Sequence, residues 1–225
     1  LNISPPPLRF SIEDLRERAC AGLSRELASD ALDPSRAPAG GDHVLNMPAP
    51  EAHIVANARP AAVLAPVVAR PGQATVLLTL RASHMRSHSG QVAFPGGKID
   101  EGETPLAAAL REAHEEIGLE QRFVEPLGWL DPYLTGTGYR IMPLVAIVDP
   151  SFKLAVNHDE VEDVFETPLS FLMDSANHQR HAREWQGALR HFYAMPYQGR
   201  YIWGATAGIL RNLFERLYCD GAGRS

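Results

Sequence analysis

"GGKIDEGETPLAAALREAHEEIGLE", Gly96 to Glu120, sets Glu112, Glu115 and Glu116 within five residues of one another on one short stretch. Thr104 is a suitable N-cap, Pro105 fits a first turn that needs no backbone N–H, and Gly118 is a natural stop. This pattern predicts a helix between them. At about 100° per residue, Glu112, Glu115 and Glu116 fall within an arc of roughly 100°. Leu106, Leu110, Ala113 and Ile117 fall opposite. The expectation is a helix that buries its apolar stripe and turns three carboxylates outward together. Like charges three or four positions apart destabilise a helix by about 0.2–0.5 kcal/mol per pair. A solvated face is one reading of them. The other is a hard-cation site, because Mg²⁺ takes oxygen ligands and is shared between carboxylates and substrate phosphates. The preceding loop favours the second. Gly96-Gly97 lets backbone approach a ligand closely, and Glu103 stands where Arg111 can pair with it and fix the loop on the helix.

Upstream, "LLTLRASHMRSHSGQVAFPGG" (77–97) reads as a strand ending in a loop that carries Arg81, His84, Arg86 and His88. His84 and His88 have no Cys or third His near them, which argues against zinc. Cationic side chains gathered before an acidic helix suit an anionic substrate with several phosphates.

The rest of the chain supplies strands and two further helices. "AAVLAPVVAR" and "ATVLLTLRA" are β-rich runs split by "PGQ"; "VEPLGWLDPYL" and "RIMPLVAIVD" are split by "TGTGY". "VEDVFETPLSFLM" reads as a strand entering a short helix, "WQGALRHFYAMPYQGRYIWG" as a hairpin, and "ATAGILRNLFERLY" as a closing helix. Residues 11–29 look helical, with Ser11 as N-cap and a stripe of Ile12, Leu15, Ala19, Leu23 and Leu27. A Pro-, Gly- and Asp-rich connector follows. The class is therefore α/β (α+β), with an N-terminal helical and loop extension over 1–50 and a main domain over 51–225.

Of the 225 residues, 45% are hydrophobic and 21% charged, the balance of a globular protein with a sizeable core. Net charge is −6, which argues against nucleic acid or an acidic membrane as partner. No apolar run is long enough to span a bilayer. The two cysteines, Cys20 and Cys219, lie in no metal-ligand spacing, and "LNISPPPLRF" lacks the features of a secretory signal. A cytoplasmic location is expected.

The acidic stretch resembles the Nudix box. Gly97, five residues, Glu103, seven residues, Arg111-Glu112-Ala113, one residue, Glu115-Glu116, one residue and Gly118-Leu119 match it in full. The resemblance implies a Nudix fold, a mixed sheet between helices with a loop–helix–loop metal site. It implies hydrolysis of a nucleoside diphosphate derivative with Mg²⁺ or Mn²⁺. It carries Glu112 and Glu116 over as metal ligands, with Glu115 a third ligand or catalytic helper, and Arg111 and Glu103 as further members of the catalytic box.

The stretch 77–97 is similar to the signature of the coenzyme A pyrophosphatase subfamily, and "DEVEDVFETPLSFLMD" and "IWGATAGILRNL" resemble its C-terminal half. The resemblance spans about residues 50–218. It implies cleavage of coenzyme A or an acyl derivative to 3′,5′-ADP and 4′-phosphopantetheine, a small-molecule partner. Arg81, Arg86, His88, Gly96 and Gly97 are the candidates to hold the substrate. Glu160 is the expected base for the attacking water, with Glu162 and Glu166 on the same strand face. Two rivals stand beside this: a Nudix hydrolase for ADP-ribose or a related nucleotide, and a Nudix-fold sensor that binds without cleaving. The aromatic run "HQRHAREWQGALRHFYAMPYQ" reads as hairpin core plus rim, or as the wall of an adenine or pantetheine pocket.

Overall fold

The computed structural model describes residues 7–46, 50, 52–84, 90–185 and 187–219. In chain order these form α1 (Ile12–Gly22), β1 (Gly40–Gly41), α2 (Ala52–Ala56), β2 (Arg59–Val68), β3 (Thr75–Arg81), β4 (Val92–Ala93), β5 (Gly96–Lys98), α3 (Pro105–Ile117), β6 (Val124–Trp129), β7 (Tyr133–Leu134), β8 (Tyr139–Val148), β9 (Val161–Pro168), α4 (Leu169–Leu172), β10 (Gln179–Trp185), β11 (Ala188–Tyr197), β12 (Arg200–Trp203) and α5 (Ala205–Leu217).

The main sheet is mixed. β2 and β8 run parallel over ten residue pairs, Arg59↔Tyr139 to Val68↔Val148. β3, β5, β6 and β9 add antiparallel neighbours. Both central strands read as near-continuous apolar runs because each is covered on two faces. On one face Ala108, Ala109, Ala113 and Ile117 of α3 pack on Ala62, Leu64, Met142 and Leu144. On the other, Leu15 and Ala19 of α1 and Leu210, Leu213 and Phe214 of α5 pack on Ala65, Val67, Val76 and Val145. The expected sheet between helices is the observed architecture. A second, three-stranded antiparallel sheet, β10–β11–β12, enlarges the expected hairpin.

Three local expectations change. The first helix ends at Gly22, not near residue 29. Leu23 turns extended, and Ser24 exchanges two backbone bonds with Trp129 (3.2 and 2.7 Å), so pairing with the sheet overrides local helix propensity. The segment read as an extension is packed into the body: α1 lies on α5, and β1 pairs parallel with β7. On α3, Leu106 is 39% exposed while Glu116 is 1% exposed. The helix rests on its alanine face, whose small side chains let the backbone approach β2, and this rolls Glu116 under the helix.

Candidate active site

α3 forms where its caps place it. Thr104 Oγ1 accepts the Ala107 N–H (3.2 Å), and Gly118 closes the far end with its N–H on the His114 carbonyl (2.9 Å). Midway along it, Arg111 ties the helix to the preceding loop. That guanidinium donates Nε to Glu103 Oε1 (2.9 Å) and Nη2 to Glu103 Oε2 (3.0 Å). It also reaches the Lys98 carbonyl (3.1 Å), Glu112 Oε1 (2.9 Å) and Glu115 Oε2 (3.1 Å). Glu103 Oε2 accepts the Asp100 N–H in turn (3.1 Å). The hydrogen bonds from Arg111 hold the Glu103 carboxyl below its ordinary pKa, and those bonds raise Arg111. A planar, five-donor fork suits this post, and an ammonium would not fill it.

The carboxylates do not stand outward together. Glu115 is exposed, with 54% of its side chain accessible; Glu112 keeps 16%. Glu116 is buried, and its Oε2 accepts the Gly96 N–H (3.1 Å) while Oε1 faces Arg81 Nη1 (3.3 Å). Burial, the largest cause, pushes Glu116 up to about 7, with Glu112 and Glu160 adding to the rise and Arg81 and the Gly96 N–H opposing it. Burial also raises Glu112, against the pull of Arg111, and Glu115 and Glu160 add to that rise.

Gly96 and Gly97 build the floor. Gly96 has φ +154°, and a Cβ there would strike the Ala62 carbonyl and Val63; no larger residue fits between β5 and β2. A Cβ on Gly97 would occupy the place of the Glu112 carboxylate.

Glu160 lies close enough to act electrostatically on both Glu112 and Glu116. The segment before it docks on the end of α3, with Ala155 N–H on the Ile117 carbonyl and Asn157 N–H on the Glu116 carbonyl (both 2.9 Å). Its half-buried carboxylate raises the pKa of both Glu112 and Glu116. The other two glutamates of that stretch, Glu162 and Glu166, go elsewhere. Glu162 is exposed, and Glu166 takes Arg70 Nη2 (2.6 Å) and Thr75 Oγ1 (2.5 Å). Arg81 is brought onto Glu116, a contact between residues thirty-five positions apart that no local spacing announces. His84 Nε2 lies 3.1 Å from the Asp159 carbonyl oxygen. Arg86 and His88 lie outside the described residues.

The donor set suits a hard cation in kind. Glu112, Glu116 and Glu160 offer only oxygen, repel one another, and include a carboxylate whose pKa burial raises. Among the described residues no three His, Cys, Asp or Glu side chains already stand at joint ligating distance. The guanidinia of Arg111 and Arg81 pair with Glu112 and Glu116. Among the described residues no helix is long and apolar enough to cross a membrane.

Residues 58–186 match the family described as NUDIX domain. The chain is 44% identical over 160 residues to the "Uncharacterized Nudix hydrolase NudL" of Enterobacter sp. (strain 638), covering 71% of this chain and 83% of that protein. It is 42% identical over 158 residues to a protein so described from Escherichia coli O7:K1, covering 70% and 82%. A solved Nudix hydrolase from M. smegmatis, RenU, aligns with 70% of this chain and 84% of its own at 22% identity and a TM-score of 0.48.

Proposed function

Because the chain belongs to the Nudix hydrolase family, whose members cleave pyrophosphate bonds of nucleotide derivatives and generally use divalent cations, we propose that it is a coenzyme A pyrophosphatase. The observation that supports the hydrolytic part is that Glu112 and Glu116 flank the Gly96–Gly97 floor while the charge of Glu160 reaches both. The subsidiary choice of coenzyme A rests on the run from Leu77 to Gly97, which leads into that floor.

In this reading Glu112 and Glu116 hold Mg²⁺ or Mn²⁺, with Glu115 beside them. Such a cation, when bound, polarises phosphoryl oxygens and lowers the pKa of a water. Glu160 orients the attacking water and takes its proton, from a position outside the helix and hence less committed to the cation. The water oxygen bonds to one phosphorus as the bridging P–O bond breaks, giving 3′,5′-ADP and 4′-phosphopantetheine or its acyl form. Arg111 and Glu103 are positioning residues that hold the loop on α3. Arg81 keeps Glu116 oriented and lies at the edge of the phosphate site, and Arg86 and His88 bind substrate phosphates. The reading includes a cytoplasmic location, in keeping with two free thiols.

The test is product analysis with Mg²⁺ on coenzyme A, ADP-ribose and NADH. The expected result is 3′,5′-ADP from coenzyme A with kcat/KM at least about tenfold above the other two, a gap of about 1.4 kcal/mol. Faster cleavage of ADP-ribose overturns the choice of substrate, and no cleavage of any of them overturns the enzyme.

A further inference from the structure

The small sheet β10–β12 has two unlike faces. Register places Met195 and Ile202 on the inner one, where they join the core. On the outer face stand Arg183, Trp185, Arg190, Phe192 and Trp203, and among the described residues no acid shares that face. Phe192 and Trp203 meet edge to face with centroids 5.2 Å apart, and the Arg183 guanidinium lies 4.7 Å over the Trp203 ring. Arg183 and Arg190 sit directly opposite each other on paired strands. Like charges so placed repel, and neither forms an ion pair with a carboxylate among the described residues.

This face walls a cavity of about 330 Å³, closed on its other side by the turn 134–137. Asp42, the one acid among the described residues of the wall, is already engaged. It accepts Tyr133 Oη (2.7 Å) and the Gly136 N–H (2.6 Å), and so holds that turn. Lys98, Ala61, Ile141 and Tyr133 form one register row across β5, β2, β8 and β7. Three strand spacings, about 14 Å, therefore separate the floor loop from the cavity turn, the scale of an extended nucleoside diphosphate.

We propose that this cavity is a purine-phosphate subsite, with the base stacked on Trp203 and Phe192 and the phosphate between Arg183 and Arg190. Aromatic faces accept a base by stacking, and a phosphate between two guanidinia relieves their repulsion. The proposal rests on the reading of the carboxylate site as a hydrolase for a nucleotide derivative and says which end of the substrate binds where: the 3′-phosphoadenosine end enters the cavity and the pantetheine end leaves it.

Two of the three tryptophans, Trp185 and Trp203, line the cavity, and Trp129 is in the core. The experiment is a tryptophan-fluorescence titration of the full, metal-free protein with adenosine 3′,5′-bisphosphate, adenosine, inorganic phosphate and 4′-phosphopantetheine, with coenzyme A hydrolysis measured in parallel. The bisphosphate is expected to quench saturably and to bind about tenfold or more tightly than adenosine or phosphate alone. Arg183→Ala and Arg190→Ala, both exposed and so harmless to folding, are expected to weaken it about tenfold and to raise the KM for coenzyme A with kcat little changed. Unchanged titration and KM in both variants overturn the subsite, as does quenching by phosphopantetheine in place of the bisphosphate. Hydrolysis of coenzyme A with those negative results leaves the enzyme standing without the subsite. Bisphosphate binding that both variants weaken, with no hydrolysis, leaves the subsite standing without the coenzyme A reading.

Discussion

Glu112 lies over Gly97 so closely that its carboxylate fills the space where any other residue would carry a Cβ. The neighbour is the free end of a flexible side chain, so an added methyl moves the carboxylate and leaves the backbone where it is. Gly97→Ala is therefore expected to fold with a stability change of about 1 kcal/mol or less while losing about a hundredfold in kcat. Gly96→Ala meets backbone at a positive φ and is expected to lower Tm sharply. Equal thermal shifts in the two variants, or wild-type turnover in Gly97→Ala, would contradict this account.

Glu116→Gln keeps size but removes the charge and one of the two acceptor oxygens. Turnover at saturating Mg²⁺ is expected to fall by about 10²–10³, on the order of 3–4 kcal/mol, with circular dichroism unchanged. Activity within threefold of wild type would remove Glu116 from the metal set.

The same residue sets a pH dependence in the metal-free protein. Burial pushes its carboxyl up to about 7 in the fold, well above the ordinary range of a glutamate. The fold thus binds the proton more tightly than the unfolded chain does, and stability from this group falls as pH rises from about 4.5 through about 7, by on the order of 3 kcal/mol. With EDTA, Tm is expected to decline between pH 5 and 7.5, and Mg²⁺ or Mn²⁺ is expected to restore it at pH 7.5 far more than at pH 5. Thermal scans of Glu116→Gln should show a flatter slope; an identical slope would assign the effect to other groups.

Glu160 and Glu162 separate by position, since the first joins the charge cluster and the second faces solvent. Glu160→Gln is expected to lose about a hundredfold or more in kcat with Mn²⁺ affinity intact, and Glu162→Gln to match wild type. Lost Mn²⁺ affinity in the first variant would make Glu160 a ligand.

Arg111→Lys preserves charge and forfeits the two-pronged grip on Glu103. kcat is expected to fall about tenfold or more with KM nearly constant, because the loop rather than the substrate is released. A selective rise in KM would place Arg111 on the substrate instead.

The loop–helix–loop was legible because its determinants are local: Thr104, Pro105 and Gly118 bound the helix, and Glu103 and Arg111 find each other eight residues apart. The strand pairs on either side of short turns were legible for the same reason. What the sequence did not reveal depends on contacts between distant segments. The helical wheel placed Glu116 with Glu112 and Glu115, but the packing of the alanine face on β2 decides which side is buried. The end of α1 is set by Trp129, and the attachment of Arg81 by Glu116. The two unlike faces of the small sheet emerge only from its register.

The first helix is anchored by the last. Arg18 donates to the Leu217 carbonyl, Arg216 donates to that of Gly22, and the Phe10 ring leans on Tyr218. During synthesis, then, α1 leaves the ribosome with its apolar stripe uncovered and must wait nearly two hundred residues for its partner. Closure of this core is a late, long-range event, which predicts slow final folding and a period in which the nascent chain is open to aggregation or chaperone capture.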